Sequence, residues 1–220
     1  MKILFVGNSY TYYNDMPTLF SRLCGCNGRQ AQVFSVTHGG RKLHENLDPN
    51  DEITRQLDAV VAQNAMDVCI LQEQSVLPLL DFQRFSANVG AMMEKLGPMR
   101  YVLYQTWGRK AGSPFLAEHG MTTRTMTLGL QQAYDRAAES HGLECAPAGL
   151  CFLHVSEKYP DIELYDPDLT HPSYAGSCLA AMAHYRTLFC CTPTELSCFA
   201  LPDDTKVAFL QSLDAVFTKK

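Results

Sequence analysis

Residues 2–9 read KILFVGNS, an apolar run that stops at a glycine, an asparagine and a serine without any spacer. Its length and its β-branched and aromatic residues predict a buried β-strand at the start of the chain. The segment after this strand has two interpretations. Gly7, Asn8 and Ser9 form either a simple turn or a site that holds a serine nucleophile at the tip of the strand.

Predicted strands and helices alternate along the rest of the chain. Strands are predicted at residues 2–6, 31–36, 67–71, 100–107 and, as a short remnant, 143–149. Apolar residues at helical spacing predict helices at 16–25, 51–64, 82–97, 121–142, 173–190 and 201–219. This alternation predicts βαβ units and an α/β fold with a parallel sheet covered by helices on both faces. Because no linker or repeat interrupts the pattern, we predict one domain spanning residues 1–220.

The charge and hydropathy of the chain exclude several classes of partner. It has 18 Lys and Arg against 23 Asp and Glu, and it lacks the basic run that a nucleic-acid partner requires. No apolar stretch approaches the ~20 residues of a membrane helix, so we predict no membrane partner. The first apolar run ends at Gly7 and is too short for a secretion signal. These features predict a cytoplasmic protein that binds a small molecule.

The nine cysteines predict neither a metal site nor a disulfide framework. Their number is odd, and the closely spaced pairs at residues 24 and 26 and at 190 and 191 do not match the spacing of zinc ligands. Reduced thiols in a reducing compartment fit this pattern best. The chain also lacks the glycine-rich phosphate loops of nucleotide-binding proteins, so we predict no cofactor.

Polar residues come directly after each predicted strand, at the edge where parallel sheets bind their ligands. These segments are residues 7–9, 38–40, 72–75 and 105–108, and a later segment at 166–173 reads DPDLTHPS. Together they supply a serine, glycines, side-chain amides and an Asp-x-x-His pair. This is the set of groups that acyl transfer requires.

The chemistry assigns a role to each group. Ser9 needs a base to remove its proton, and His171 suits that role at neutral pH. Asp168 lies three residues before His171, close enough to orient the ring. Backbone N–H groups of Ser9 and Gly40 and a side-chain amide from the third strand end would bind the oxyanion. One such donor typically lowers the barrier by about 2.7–4 kcal/mol.

Four segments resemble the sequence blocks of the SGNH (GDSL-like) hydrolase superfamily, in the same chain order. They read FVGNSYTYYNDMP, THGG, CILQEQS and DLTHPSYAG and span residues 3–180. The resemblance implies a flavodoxin-like three-layer α/β/α sandwich with a central parallel sheet. It also implies that Ser9 is the nucleophile, His171 the general base and acid, Asp168 its orienting carboxylate, and Gly40 an oxyanion donor.

The chain departs from the family pattern in two blocks. Asn8 stands where most members have aspartate. The asparagine retains the capacity for hydrogen bonding but lacks the charge. The third block has residues 72–75, QEQS, where the family usually has Gly-x-Asn-Asp. Alignment from the strand end places Gln74 over the asparagine that donates to the oxyanion, and we favour it. Related acetylesterases have a glutamine at the start of this block, so Gln72 is the alternative.

Each motif alone is common in turns, but their joint occurrence at strand ends favours a catalytic site. The hypothesis is therefore a serine esterase that acts on a small acyl group, an O-acetyl group on a carbohydrate being one substrate. The alternative is a non-catalytic or degenerate flavodoxin-like domain that binds a small molecule. We expect Trp107 to pack in the core, one of Tyr10, Tyr12 and Tyr13 to face the core, and another to shape the substrate mouth.

Overall fold

Five parallel strands form the sheet of the computed structural model, which describes residues 1–218. The strands are β1 (Lys2–Gly7), β2 (Gln32–Thr37), β3 (Val68–Leu71), β4 (Arg100–Tyr104) and β5 (Glu144–Ala146). Their order in the sheet is β2-β1-β3-β4-β5. This order places β1 and β3 side by side within the sheet, so the segments that leave their carboxyl ends are also neighbours.

Helices connect the strands. They are α1 (Ser9–Tyr12), α2 (Met16–Cys26), α3 (Glu52–Gln63), α4 (Leu77–Leu80), α5 (Phe82–Leu96), α6 (Pro114–Glu118), α7 (Thr123–His141), α8 (Ala148–Lys158), α9 (Tyr174–Phe189) and α10 (Asp203–Phe217). Two short 3-10 helices occupy Tyr13–Asp15 and Leu43–Leu47. Within residues 1–218, no helix combines the length and apolar character needed to cross a membrane.

Alternating residues of β1 divide the core into two layers. Ile3 and Phe5 pack into the cluster formed with α2, α8, α9 and α10, whereas Leu4 and Val6 pack into the cluster formed with α3, α5 and α7. Successive side chains of a strand point to opposite faces, so burial of both sets requires helices on both sides of the sheet. The predicted three-layer α/β/α fold is confirmed.

Three differences from the predicted elements have physical causes. Helix α8 is not predicted by the sequence pattern, because its buried residues lie on most of its surface and leave no clear apolar stripe. Strand β4 ends at Tyr104 instead of Trp107, because its neighbour β5 pairs no further than Ala146. The last helix begins at Asp203, and the predicted end at Lys219 lies outside the described residues.

The register of the sheet brings the segments after the strands together. Gly7 of β1 pairs with Thr37 of β2, and Val6 pairs with Leu71 of β3. The segments that begin at Asn8, His38 and Gln72 therefore leave the sheet at one edge. The candidate site lies at this edge.

Candidate active site

Ser9 is the first residue of α1, and only Asn8 separates it from β1. The Asn8 side chain caps the helix by accepting a hydrogen bond from the Tyr10 backbone N–H at 3.2 Å. A Cβ at Gly7 would lie 2.4 Å from Thr11 Oγ1 and 2.6 Å from Gln72 Oε1. Only glycine therefore permits this strand to pass directly into the turn that presents Ser9.

Asn8 also joins the serine turn to the two neighbouring loops. Its side-chain amide donates to the Arg41 carbonyl at 3.0 Å, and its backbone N–H donates to Gln72 Oε1 at 2.8 Å. An asparagine supplies both the donor and the acceptor that this position uses, whereas an ionised aspartate would supply acceptors alone. The departure from the usual aspartate thus has a structural role here.

The structure brings Ser9, His171 and Asp168 into one chain of hydrogen bonds. His171 Nε2 lies 2.8 Å from Ser9 Oγ, and His171 Nδ1 is hydrogen-bonded to Asp168 Oδ2. A proton on Nδ1, donated to the carboxylate, leaves Nε2 free to accept the proton of the serine hydroxyl. This arrangement could serve chemically as a nucleophile, a base and an orienting carboxylate.

Asp168 is held in its ionised form by several donors. Desolvation alone would raise its pKa, but hydrogen bonds from the His171 ring and from two backbone N–H groups outweigh that effect and lower it. Those backbone donors are Thr170 and His171, each 2.9 Å from Oδ1. A charged Asp168 can stabilise the imidazolium that forms when His171 accepts a proton.

The loop that carries Asp168 and His171 is fixed from outside. Leu169 adopts a left-handed conformation with φ of +62°, which is uncommon for a residue other than glycine. Its carbonyl accepts the Lys110 backbone N–H at 2.9 Å, and the Thr170 carbonyl accepts the Trp107 indole N–H at 3.1 Å. These contacts compensate for the strained backbone and fix the position of the His171 ring.

Aromatic rings pack around the histidine. The Tyr13 ring stacks on the His171 ring with centroids 4.1 Å apart and planes 7° apart. Tyr10 is buried and stacks on Trp107 at 4.9 Å, while Tyr12 is exposed. Trp107 is itself fully buried and packs on Phe152, as predicted. The expectation that one of the three tyrosines faces the core is also confirmed.

Gly40 lies in a tight turn after β2. The Arg41 backbone N–H donates to the His38 carbonyl at 3.2 Å, and Gly40 has φ of +69°, a conformation that glycine adopts without strain. The buried Arg41 side chain anchors this turn through an ion pair with Asp51, and this pair lowers the pKa of Asp51 to about 2. The turn that bears Gly40 is therefore held rigidly beside Asn8.

The two candidate glutamines make different contacts. Gln72 is buried; its Oε1 accepts from Asn8 N–H and from the Thr11 hydroxyl, and its amide donates to the Glu73 carbonyl. Gln74 Oε1 accepts the backbone N–H groups of Val76 and Leu77 at 3.1 Å each. Its amide group has no hydrogen-bond partner within the described chain. The Gln74 amide therefore keeps both of its N–H donors uncommitted, whereas the Gln72 amide already uses one of its two donors.

Sequence reasoning missed a buried carboxylate in the same segment. Glu73 accepts from Leu43 N–H at 3.0 Å, Gln74 N–H at 2.7 Å and the Asn88 amide at 2.8 Å. Burial raises its pKa, against the smaller opposing effect of these three donors. Glu73 thereby ties the loop after β2 to the loop after β3. Its neighbours in the sequence give no signal of this role, because two of its three donors come from distant segments.

Asn14 is a further site residue that sequence reasoning did not assign. Asn14 adopts a left-handed conformation, with φ of 53°, and its amide donates to the Pro172 carbonyl at 3.0 Å. It therefore links the segment after Ser9 to the segment after His171. The sequence signal for this role is an asparagine in a run of polar residues, because asparagine tolerates the left-handed conformation better than most residues.

The site contains no candidate metal centre. Across residues 1–218, no group of three or more His, Cys, Asp or Glu side chains is arranged to hold a metal ion. All nine cysteines, which lie within that range, are free thiols.

Comparison with solved structures identifies proteins that share this fold. A protein from Slackia heliotrinireducens, described as an SGNH hydrolase, is 33% identical over 86% of this chain and 98% of its own, with a TM-score of 0.75. A DUF4886 family protein from Bacteroides uniformis is 16% identical over 100% and 96%, with a TM-score of 0.82. The acetylxylan esterase Axe2 from Geobacillus stearothermophilus is 17% identical over 85% and 93%, with a TM-score of 0.59.

No protein-family model matches the chain, and a search of curated proteins gave no match. The fold and the chain of hydrogen bonds nevertheless define an α/β protein with a Ser-His-Asp site at the carboxyl edge of a parallel sheet. Given the similarity to the Slackia protein over nearly its whole length, the chain belongs to the SGNH hydrolase superfamily.

Proposed function

We propose that this protein is a serine esterase that hydrolyses small acyl esters through a Ser9–His171–Asp168 triad. The observation that carries the proposal is the 2.8 Å contact between Ser9 Oγ and His171 Nε2, with the other ring nitrogen bonded to Asp168. A serine in a simple turn would not require a histidine oriented by a carboxylate. Membership of the superfamily and the esterases among its structural neighbours support the same activity.

The proposed reaction proceeds in two steps. Ser9 Oγ attacks the ester carbonyl while its proton passes to His171 Nε2, and the tetrahedral oxyanion accepts hydrogen bonds from Ser9 N–H, Gly40 N–H and the Gln74 amide. The C–O bond to the alcohol then breaks, and His171 returns the proton to the leaving oxygen. In the second step water, activated by His171, attacks the acyl-serine and releases the acid and free Ser9.

An O-acetyl group on a carbohydrate is the substrate we favour. The support is the shared fold of the Geobacillus acetylxylan esterase, at 17% identity. A panel of acetylated sugars and esters with longer acyl chains tests this choice. Faster turnover of longer acyl chains than of acetyl esters would contradict it.

The triad is tested by hydrolysis of p-nitrophenyl acetate. We expect Ser9→Ala and His171→Ala each to lower kcat by roughly 10⁴-fold to 10⁶-fold, because members of a triad act as a unit. Ser140→Ala is the matched control, since Ser140 is an exposed helix residue whose hydroxyl bonds only the Arg136 carbonyl. Unchanged turnover in Ser9→Ala would refute the proposed function.

A cytoplasmic location remains a prediction. The free thiols support it, because a reducing compartment preserves them. Fractionation of cells that produce the protein tests it, and recovery outside the cytoplasm would contradict it.

A further inference from the structure

A polar cluster lies beside the triad and has no part in the proposed reaction. It consists of the side chains of Tyr10, Ser75 and Arg109, which belong to the segments after β1, β3 and β4. Tyr10 is the residue directly after Ser9, and its ring lies 5.7 Å from the His171 ring. The cluster is therefore next to the place where a substrate would react.

Two members of the cluster bury polar atoms that lack a partner. Tyr10 is 3% exposed, and its hydroxyl has no hydrogen-bond partner in the described chain. Arg109 Nε is likewise buried without a partner among residues 1–218. A buried polar group left unsatisfied costs about 1–3 kcal/mol, so such groups in one cluster point to a ligand that completes them.

The three side chains face one another. Burial raises the pKa of Tyr10 to about 12, and the nearby Ser75 hydroxyl and Arg109 guanidinium oppose this effect. The contacts are close enough to act on the phenol without having the geometry of hydrogen bonds. The Tyr10 hydroxyl thus remains an unsatisfied polar group although two polar side chains lie close to it.

Arg109 is the charged member of this cluster. Its guanidinium lies 4.4 Å from the centroid of the Phe115 ring and forms no ion pair with any described residue. The next residue, Lys110, is instead paired with Glu163. The carboxylate of the triad, Asp168, is committed to His171. Arg109 therefore offers an unneutralised positive charge close to Tyr10, the residue that follows the nucleophile.

We infer that Arg109, with the hydroxyls of Tyr10 and Ser75, binds a carboxylate group of the substrate. The inference rests on the proposed esterase function and narrows its substrate class to esters that bear a negative charge near the reacting carbonyl. A guanidinium presents its N–H groups in a planar fork that matches a carboxylate. The two hydroxyls add further donors to the same anion.

Two pairs of esters separate a charge on the acyl group from a charge on the alcohol. Mono-4-nitrophenyl succinate is compared with 4-nitrophenyl butyrate, and 4-acetoxybenzoate with its methyl ester. For each pair, the ratio of kcat/KM for the charged ester to that for the neutral ester is measured in the wild type and in Arg109→Gln. We expect this ratio to fall by roughly 10-fold to 100-fold in at least one pair, as for loss of a hydrogen bond to a charged group.

Further variants separate binding from structural effects. Arg136→Gln is the matched control, because Arg136 also stacks on a ring, with Cζ 3.8 Å from the Phe82 centroid, and it should leave the ratio unchanged. Arg109→Lys should retain part of the preference. Tyr10→Phe keeps the ring and removes the hydroxyl, so it should lower the ratio even if Arg109→Gln does not fold.

The outcomes distinguish this inference from the proposed function. A ratio that is the same in Arg109→Gln and wild type for both pairs, or in Tyr10→Phe if the former is unstable, overturns the carboxylate site. Ester turnover that depends on Ser9 would still leave the esterase proposal standing in that case. Turnover that persists in Ser9→Ala overturns the proposed function itself.

Discussion

Gln72 and Gln74 lie two residues apart and make different contacts at the end of β3. Gln72 connects Asn8 and Thr11 through its oxygen, so it positions the serine turn. Gln74 uses its oxygen to accept two backbone N–H groups and keeps its amide donor uncommitted in the described structure. These contacts support the preference for Gln74 as the third oxyanion donor.

Replacement of Gln74 tests that role. Gln74→Glu retains an oxygen for the Val76 and Leu77 N–H groups but removes the donor and adds a negative charge. We expect kcat for p-nitrophenyl acetate to fall by about 10²-fold to 10³-fold, as when one oxyanion donor is lost, with little change in KM. A kcat equal to that of the wild type would exclude Gln74 as a donor.

The sequence allows some residue roles to be predicted and not others. Asp168 and His171 can be placed together because they lie only three positions apart. The choice between Gln72 and Gln74 cannot be made from sequence alone, since it depends on contacts that Asn8 and Thr11 make across more than 60 residues. The cluster of Tyr10, Ser75 and Arg109 likewise depends on how three separate segments meet.

At the scale of elements, the junction of β1 and α1 leaves no room for a residue larger than glycine at position 7. A methyl group at Gly7 would meet Thr11 and the buried Gln72, neither of which can move without disturbing the serine turn. We expect Gly7→Ala to reduce the free energy of unfolding by about 1–3 kcal/mol, the usual effect of overpacking, and to lower kcat as well. Denaturant unfolding and ester turnover measure the two effects.

Gly25→Ala is the control for that substitution. Gly25 lies within α2, and a Cβ there would meet nothing within 4 Å. Alanine in a helix interior is favoured over glycine by about 0.5–1 kcal/mol, so this variant should be more stable and equally active. Equal stability of the Gly7→Ala and wild-type proteins would contradict the proposed constraint at the junction.

Periodic elements can be predicted better than irregular ones. Strand β1 and helices such as α3 and α5 have clear apolar patterns and match their predicted positions within a residue or two. Helix α8 is missed because burial around most of its surface hides the helical period. The short helices α4 and α6 lie in segments for which no helix is predicted, and a proline within the first two positions of each aids helix initiation.

At the scale of the whole molecule, a buried histidine makes stability depend on pH. His184 is fully buried between Phe5 and Tyr104, and both its ring nitrogens lack a hydrogen-bond partner among residues 1–218. Desolvation lowers its pKa to about 3, whereas an unfolded chain protonates histidine near pH 6.5. The unfolded state therefore binds more protons between these values, and stability falls as the pH drops through that window.

His184→Leu should reduce this dependence. Between pH 7 and pH 5, the loss in free energy of unfolding should be smaller in the variant by about 2 kcal/mol, at about 1.4 kcal/mol for each pH unit below 6.5. The raised pKa of Glu73 has the opposite effect, because it lowers the free energy of unfolding as the pH rises. This effect is the same in both proteins. Denaturant unfolding at several pH values measures the difference; parallel curves would contradict the role of His184.

The central claim is that Ser9 is the nucleophile of a working triad. Its most direct test is labelling of the protein by a fluorophosphonate, with identification of the modified peptide by mass spectrometry. A serine activated by His171 should form one adduct, located on Ser9 and absent from Ser9→Ala. Failure to label the folded wild-type protein, or an adduct on another residue that persists in Ser9→Ala, would contradict the account.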